Sequence, residues 1–235
     1  MNVRVYDDGA DDDCLLVLGW GNRCRHENVR WLVDRVAERY RVHAVELPTH
    51  ITDVRRQWVA PLERYLADAD LDGVPVLAHS AGGLTAAHLE SEVVTNRVYL
   101  SPWWGADPPL PEPVLRVIAR LPITRPILPV GDLGSSDSIG DLATEAQLQD
   151  GPRAYSPAFV RTVARAHATL PPARENEVAF CTLTDEIVDP RAVGERLPAA
   201  RVRLYDGGHE LFSSSARTDH IDDVLAALAS GPAAL

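Results

Sequence analysis

Short apolar runs alternate with longer amphipathic ones along most of this chain, and that rhythm limits the fold more than any other feature. CLLVL (14–18) is apolar without a break, as a strand covered on both faces must be. A helical face comes next, carrying Trp31, Leu32, Val36 and Tyr40 with Val29 and Val33 beside them. VHAVEL (42–47) is the next strand. Val54, Trp58, Leu62, Tyr65 and Leu66, spaced by three and four, predict a helix over 53–68. VPVLA (74–78), a helix of small and apolar residues over 81–94, and the strand RVYLS (97–101) continue the series. This order implies parallel strands joined by right-handed crossovers. It resumes with EVAFCTL (177–183), a short helix over 190–197 and RVRLYD (201–206). A last helix over 217–229 then presents Ile221, Val224, Leu225 and Leu228 on one face. The expectation is an α/β fold: a mostly parallel sheet flanked by helices.

Residues 102–175 break the rhythm. They are rich in proline, with short helical patterns such as PVLRVIARL (113–121) and SPAFVRTVARAHATL (156–170). We expect a core of residues 1–101 and 176–235, with 102–175 inserted as a helical cap. Ligands of open α/β sheets bind at the carboxyl ends of the strands. An insertion leaving from the end of RVYLS is placed to cover such a site. Within it, GDLGSSDSIGD (131–141) lacks the lysine of a phosphate loop and follows no strand, so it is expected to be a mobile loop of the cap.

The 235 residues carry a formal net charge of −11, and all 23 basic residues are arginine. A surface of this sign repels nucleic acid and anionic membranes, which leaves a small molecule as the expected partner. No apolar run approaches the ~20 residues that span a bilayer. The acidic opening MNVRVYDDGADDD does not read as a signal peptide, so a soluble, cytoplasmic protein is expected. The DDGADDD run (7–13) is expected to be a solvated loop, not a metal site. Cys14, Cys24 and Cys181 are scattered without metal-ligand spacing and are expected to be buried thiols.

Chemistry concentrates around Ala78-His79-Ser80-Ala81-Gly82, with Gly83 next. A serine flanked by small residues between a strand and a helix fits a sharp turn that lifts its hydroxyl above the sheet. That hydroxyl is a weak nucleophile and needs a base. His209, in LYDGGHELF just past the last strand, is the best placed of the eight histidines. His43, His88, His167 and His220 fall in strand or helix patterns, and His26 and His50 lie in loops. The base needs a carboxylate to hold its tautomer. Asp185 is the first one past EVAFCTL, with Asp189 as the alternative; Asp189 precedes Pro190, where it can cap a helix. Glu186 is expected to be a solvated neighbour, and Glu210 to tune the histidine loop. An oxyanion would be met by the backbone N–H of Ala81 and by that of Trp20, in the glycine-flanked loop Leu18-Gly19-Trp20-Gly21-Asn22. Trp103 and Trp104, after the strand ending in Ser101, either line a substrate pocket or pack the cap onto the core.

With these residues in place the chain resembles the α/β-hydrolase superfamily, from LLVLGWG through AHSAGG and LTDEIVDP to YDGGHELF. The chain order Ser80, Asp185, His209, each after its own strand, carries the match. Within the superfamily it looks most like the monoacylglycerol lipase and lysophospholipase group, sharing HSAGG, the YLSP strand exit and LYDGGHELF before a final helix. It departs from that group at Leu18, where a histidine is usual, and at Ala78, where glycine is usual. The resemblance implies hydrolysis of a lipid-like carboxylic ester by a serine, with no cofactor and no metal. The alternatives are a thioesterase or lactonase, a cofactor-free peroxidase on the same triad, or a non-catalytic binding protein.

The acidic, lysine-free composition is similar to that of proteins from salt-loving organisms. It predicts a melting temperature that rises between dilute buffer and molar salt. A melt indifferent to salt would remove that reading.

Overall fold

Strands buried on both faces set the frame. In the computed structural model, residues 1–7, 9–69, 71–105, 112–130 and 136–235 are described. β2 (Asp13–Val17), β4 (Val74–His79) and β8 (Glu177–Cys181) are buried at every position, which is why their sequences show no polar alternation. β1 (Asn2–Tyr6), β3 (Arg41–Glu46), β5 (Val94–Leu100) and β9 (Val202–Leu204) complete a seven-stranded sheet in the order β1-β3-β2-β4-β5-β8-β9. Only β1 runs antiparallel, on β3. From β2 the chain moves outward to β3, then returns to place β4 on the other side of β2. The crevice between the ends of β2 and β4 is therefore a topological switch point, where α/β sheets bind ligands.

Side chains alternate across the sheet. Cys14, Leu16, Val42, Ala44, Leu77, Val98 and Phe180 face α1 (Glu27–Ala37) and α9 (Arg217–Ser230) in one core layer. Leu15, Val17, Val45, Val76, Ala78, Tyr99 and Ala179 face Trp58, Leu62 and Leu66, with Leu84, in the other. The helix expected over 53–68 is a π-helical turn, Arg55–Val59, running into α2 (Ala60–Asp68). Pro61 has no N–H to give the carbonyl four residues earlier, and just before it Ala60 N reaches back five residues to Arg55 O. Asp13 also departs from expectation. Its carboxylate is buried and takes Arg41 Nε and Nη2 (2.6 and 2.8 Å) and His43 Nε2 (2.7 Å), so that end of the acidic run is structural.

Between β5 and β8 no described residue joins the main sheet. The insertion carries α4 (Glu112–Arg120), β6 (Leu128–Pro129), α5 (Ser136–Ile139), α6 (Glu145–Asp150), β7 (Ala154–Tyr155) and α7 (Pro157–Ala168). Ser156 caps α7, accepting from Phe159 N (3.0 Å), and Phe159, Val163 and Ala166 sink into the second core layer. The last helix of the insertion is thus built into the core. Of the stretch 131–141, residues 131–135 lie outside the described ones, and 136–139 form α5. Among the described residues no helix is long and apolar enough to cross a membrane.

The helix after the serine, α3 (Ala81–Ala87), ends on arginines. Arg174 donates to the carbonyls of Ala87 (2.9 Å) and Leu89 (3.2 Å), which places cations where the helix end is partially negative. Glu177, fully buried, gathers Arg174 (3.4 Å), Arg196 (3.2 Å) and the Tyr99 hydroxyl (3.2 Å), and the Arg196 guanidinium lies 4.6 Å over the Trp104 ring. Removing the one carboxylate of this cluster strands its cations. Glu177→Ala should cost about 3–5 kcal/mol in urea unfolding. A midpoint within error of the parent would contradict that account.

Candidate active site

A single residue separates β4 from α3. Ser80 holds φ 51° and ψ −117°, a conformation non-glycine residues avoid, at a cost of about 1–3 kcal/mol. Its neighbours hold it there. Ser80 N donates to Leu100 O (3.1 Å), and its carbonyl accepts from Trp103 N (3.0 Å) and Leu84 N (3.1 Å). Gly82 explains the small residue after the turn: a Cβ there would sit 2.2 Å from Val17 O and 2.9 Å from Leu18 O. At Gly83 it would meet the Pro102 Cβ at 2.7 Å. Ala78, where the resembled group usually has glycine, is fully buried in β4.

His209 and Asp185 meet. His209 Nδ1 donates to Asp185 Oδ2 at 2.8 Å, and both side chains are nearly sealed from solvent. The other carboxylate oxygen of Asp185 accepts from Ile187 N (2.9 Å) and Val188 N (3.0 Å). Burial pushes the Asp185 carboxyl up. The His209 charge and its hydrogen bond, with the two backbone donors, outweigh this and carry it below the usual carboxylate value. With Nδ1 committed, the free electron pair of the ring is on Nε2. No hydrogen bond joins the Ser80 hydroxyl to that ring among those of the described residues. Asp189 instead accepts from Arg191 N (2.9 Å) at the start of α8 (Arg191–Arg196) and has no bond to His209. Glu186, expected to be merely solvated, accepts from Ser138 Oγ of the insertion (2.6 Å).

The loop after β2 lies beside the elbow, because Gly82 abuts the carbonyls that lead into it. Gly21 takes φ 99°, and Gly19 faces the His79 ring so closely that a Cβ would come within 2.6 Å of it. Trp20 anchors the loop through Nε1, which donates to Thr49 O (2.9 Å), and stacks on Phe159 with ring centroids 4.6 Å apart. Its backbone N–H meets no acceptor among the described residues. Ala81 opens α3, so its N–H belongs to the helix's unclaimed first donors.

The two tryptophans after Ser101 part company. Trp104 is buried against Tyr99 (4.7 Å, edge-on) and reaches Gly83 O (3.4 Å), which makes it a packing residue. Trp103 is half-buried and lies 6.2 Å from Phe159, in the aromatic group that holds Trp20. The three thiols are free and buried, and burial pushes Cys14 up to about 12 and Cys24 and Cys181 up to about 11. Reading the sequence missed Tyr205, whose hydroxyl lies within hydrogen-bond reach of the Gly208 (2.8 Å) and His209 (3.0 Å) carbonyls and of Ser101 Oγ (2.9 Å). It also missed Asn22, His79 and Gln147, which surround Glu210 and the elbow. None of these carries a local sequence signature.

A mostly parallel sheet whose switch-point crevice holds a strained strand–serine–helix turn has the architecture of an α/β-hydrolase. Comparison by sequence agrees: residues 14–227 match the Alpha/beta hydrolase family, and the chain belongs to it. Among solved structures it is similar to a monoacylglycerol lipase of Paleococcus ferrophilus, with a TM-score of 0.75, 16% identity, and 98% of this chain and 99% of that one covered. It is also similar to a structure of the metagenome-derived lipolytic enzymes LipS and LipT (TM-score 0.71, 15% identity, 97% and 96% covered). A third is the esterase EaEST from Exiguobacterium antarcticum (TM-score 0.65, 13% identity, 97% and 96% covered). At these identities the likeness is one of fold. No curated protein matches the chain by sequence.

The close approach at the elbow is open to test. Gly82→Ala should cost about 1–3 kcal/mol in urea unfolding by driving a methyl into the Val17 carbonyl. Gly194→Ala, in α8 with nothing within 4 Å of the added methyl, should be neutral or stabilising. Equal midpoints for the two would refute the packing argument.

Proposed function

We propose that this chain is a serine hydrolase that cleaves carboxylic esters through an acyl-enzyme, with residues 102–175 as its cap. One observation carries the reading: the buried 2.8 Å bond between His209 Nδ1 and Asp185 Oδ2, at the same sheet edge as a serine held in a strained turn. Ser80 attacks the ester carbonyl and gives its proton to His209 Nε2. Asp185 holds the ring in the tautomer that makes Nε2 the base and stabilises the imidazolium. The backbone N–H groups of Trp20 and Ala81 receive the oxyanion, a donor of this kind being worth about 2.7–4 kcal/mol in the transition state. His209 then protonates the leaving alcohol, and water resolves the acyl-enzyme by the reverse route. Contacts between nucleophile and base commonly tighten only when substrate binds, which accommodates the unbonded Ser80 hydroxyl.

The partly exposed Trp20, Trp103 and Tyr155, grouped around Phe159, favour an apolar, lipid-like acyl or alkyl group. Val114, Val117, Leu121 and Ile127, exposed on the cap, suit the same class of substrate. The lipase and esterase activities named for structures of similar fold support this choice.

Ser80→Ala should lower turnover of p-nitrophenyl esters by at least about 1,000-fold, and a fluorophosphonate probe should label the parent but not the variant. Unchanged turnover in the variant would sink the mechanism. A parent that resists the probe would favour a binding protein. A panel of esters of increasing chain length should show a preference for longer acyl groups over acetate.

A further inference from the structure

A chain of buried polar side chains joins the insertion to the back of His209, and the proposed triad makes no use of it. Glu210 is 4% exposed and faces three donors. Asn22 Nδ2 donates to its Oε1 (2.8 Å), Ser213 Oγ to its Oε2 (2.6 Å), and Gln147 Nε2 of α6 to the same Oε2. The Gln147 amide also donates to Ser213 Oγ and accepts from Asn28 Nδ2, both at 2.9 Å, and Asn28 is held in turn by Arg217 (2.8 Å). On the other side, Asn22 Oδ1 meets His79 Nδ1 at 3.1 Å. Asn22 gives its amide hydrogen to Glu210, so its oxygen accepts, and His79 carries its proton on Nδ1. The His79 ring is buried 4.8 Å from that of His209 and packs edge-on against Phe212 at 5.0 Å.

Burial pushes the Glu210 carboxyl up, against the donors that hold it. A buried acid with no ion-pair partner among the described residues needs every one of those donors, and losing one leaves a costly unsatisfied group. Of the three, one comes from the loop after β2, one from just past His209 and one from the insertion. The backbone repeats the pattern. His209 N donates to Ser138 O (2.9 Å), Glu210 N to Ile139 O and Leu142 N to Ser213 O (both 2.8 Å). Gly208 permits this approach, since a Cβ there would lie 2.6 Å from Gly140 N.

We propose that Gln147 and Glu210 are positioning residues: the insertion, through Gln147, Glu210, Asn22 and His79, completes the frame that holds the His209 ring and the Trp20 loop in working geometry. The proposal rests on the triad reading above. It makes α5 and α6 part of the catalytic scaffold, with substrate movement left to the rest of the cap.

The test compares Gln147→Met, Glu210→Gln and the paired exchange Glu210→Gln with Gln147→Glu, using p-nitrophenyl esters and thermal melts. The exchange moves the carboxylate to α6 and the amide to the histidine loop, so donor and acceptor trade places and the contact is kept. Each single variant should lose about ten- to a hundredfold in kcat with KM within about twofold of the parent, and the exchange should regain most of the loss. The proposal is overturned if a folded single variant keeps the parent kcat. It is also overturned if the exchange is no better than the singles, or restores the melting temperature without kcat. Should Glu210→Gln not fold, kcat of Gln147→Met against the parent decides. All kcat values are compared with Ser80 intact, so hydrolysis that survives Ser80→Ala removes the triad reading separately.

Discussion

The start of α3 lies so close to the end of β2 that only a hydrogen fits between Gly82 and the Val17 carbonyl. The rest of the sheet edge is arranged around that contact. β2 and β4 are neighbours because the chain reverses direction across the sheet between them, and one residue is all that joins β4 to the helix. Ser80 is therefore forced into a backbone of positive φ. The strain is offset by three backbone hydrogen bonds to β5, to α3 and to the segment leaving β5. The same contact sets the loop of Trp20 beside the N-terminus of α3, where unpaired N–H groups collect.

Much of this is legible in the sequence alone. Burial on both faces strips polar residues from β2, β4 and β8, so their sequences read as strands directly. Ser80, Asp185 and His209 each come just after a strand of a parallel sheet, and parallel strands deliver the residues beyond their carboxyl ends to one edge. Asp185 and Asp189 both accept from backbone N–H groups after them, and what separates them is that Asp185 meets His209. Other features leave no local trace. Asn22 and Glu210 are 188 positions apart and meet only because β2 and the last loops share an edge. Helical periodicity in α7 says that one face is apolar but not that Phe159 would enter the main core. The π-turn before α2 is hidden because its apolar spacing is helical, while Ala60 N reaches back five residues to Arg55 O.

The insertion is anchored in two chemically different ways. α7 is held by apolar burial of Phe159, Val163 and Ala166, joined by hydrogen bonds from Val54 N to Thr162 Oγ1 (2.8 Å) and from His88 Nε2 to Ala166 O (3.0 Å). α5 and α6 are held by directional bonds to Glu186, His209, Glu210 and Ser213. α4 packs against α7 and exposes Val114 and Val117. A segment that reads from sequence as one proline-rich cap is thus divided between fixed framework and open surface.

Phe159 stacks on Trp20 and lies within 6.2 Å of the ring centroids of Trp58, Trp103 and Tyr155. One side chain thereby joins the insertion to the loop proposed to receive the oxyanion. On that reading, selectivity and rate are not independently evolvable in this scaffold. A change that reshapes the aromatic wall for a different acyl group also moves the support of Trp20, so a new preference must be acquired together with a compensating adjustment in the loop after β2.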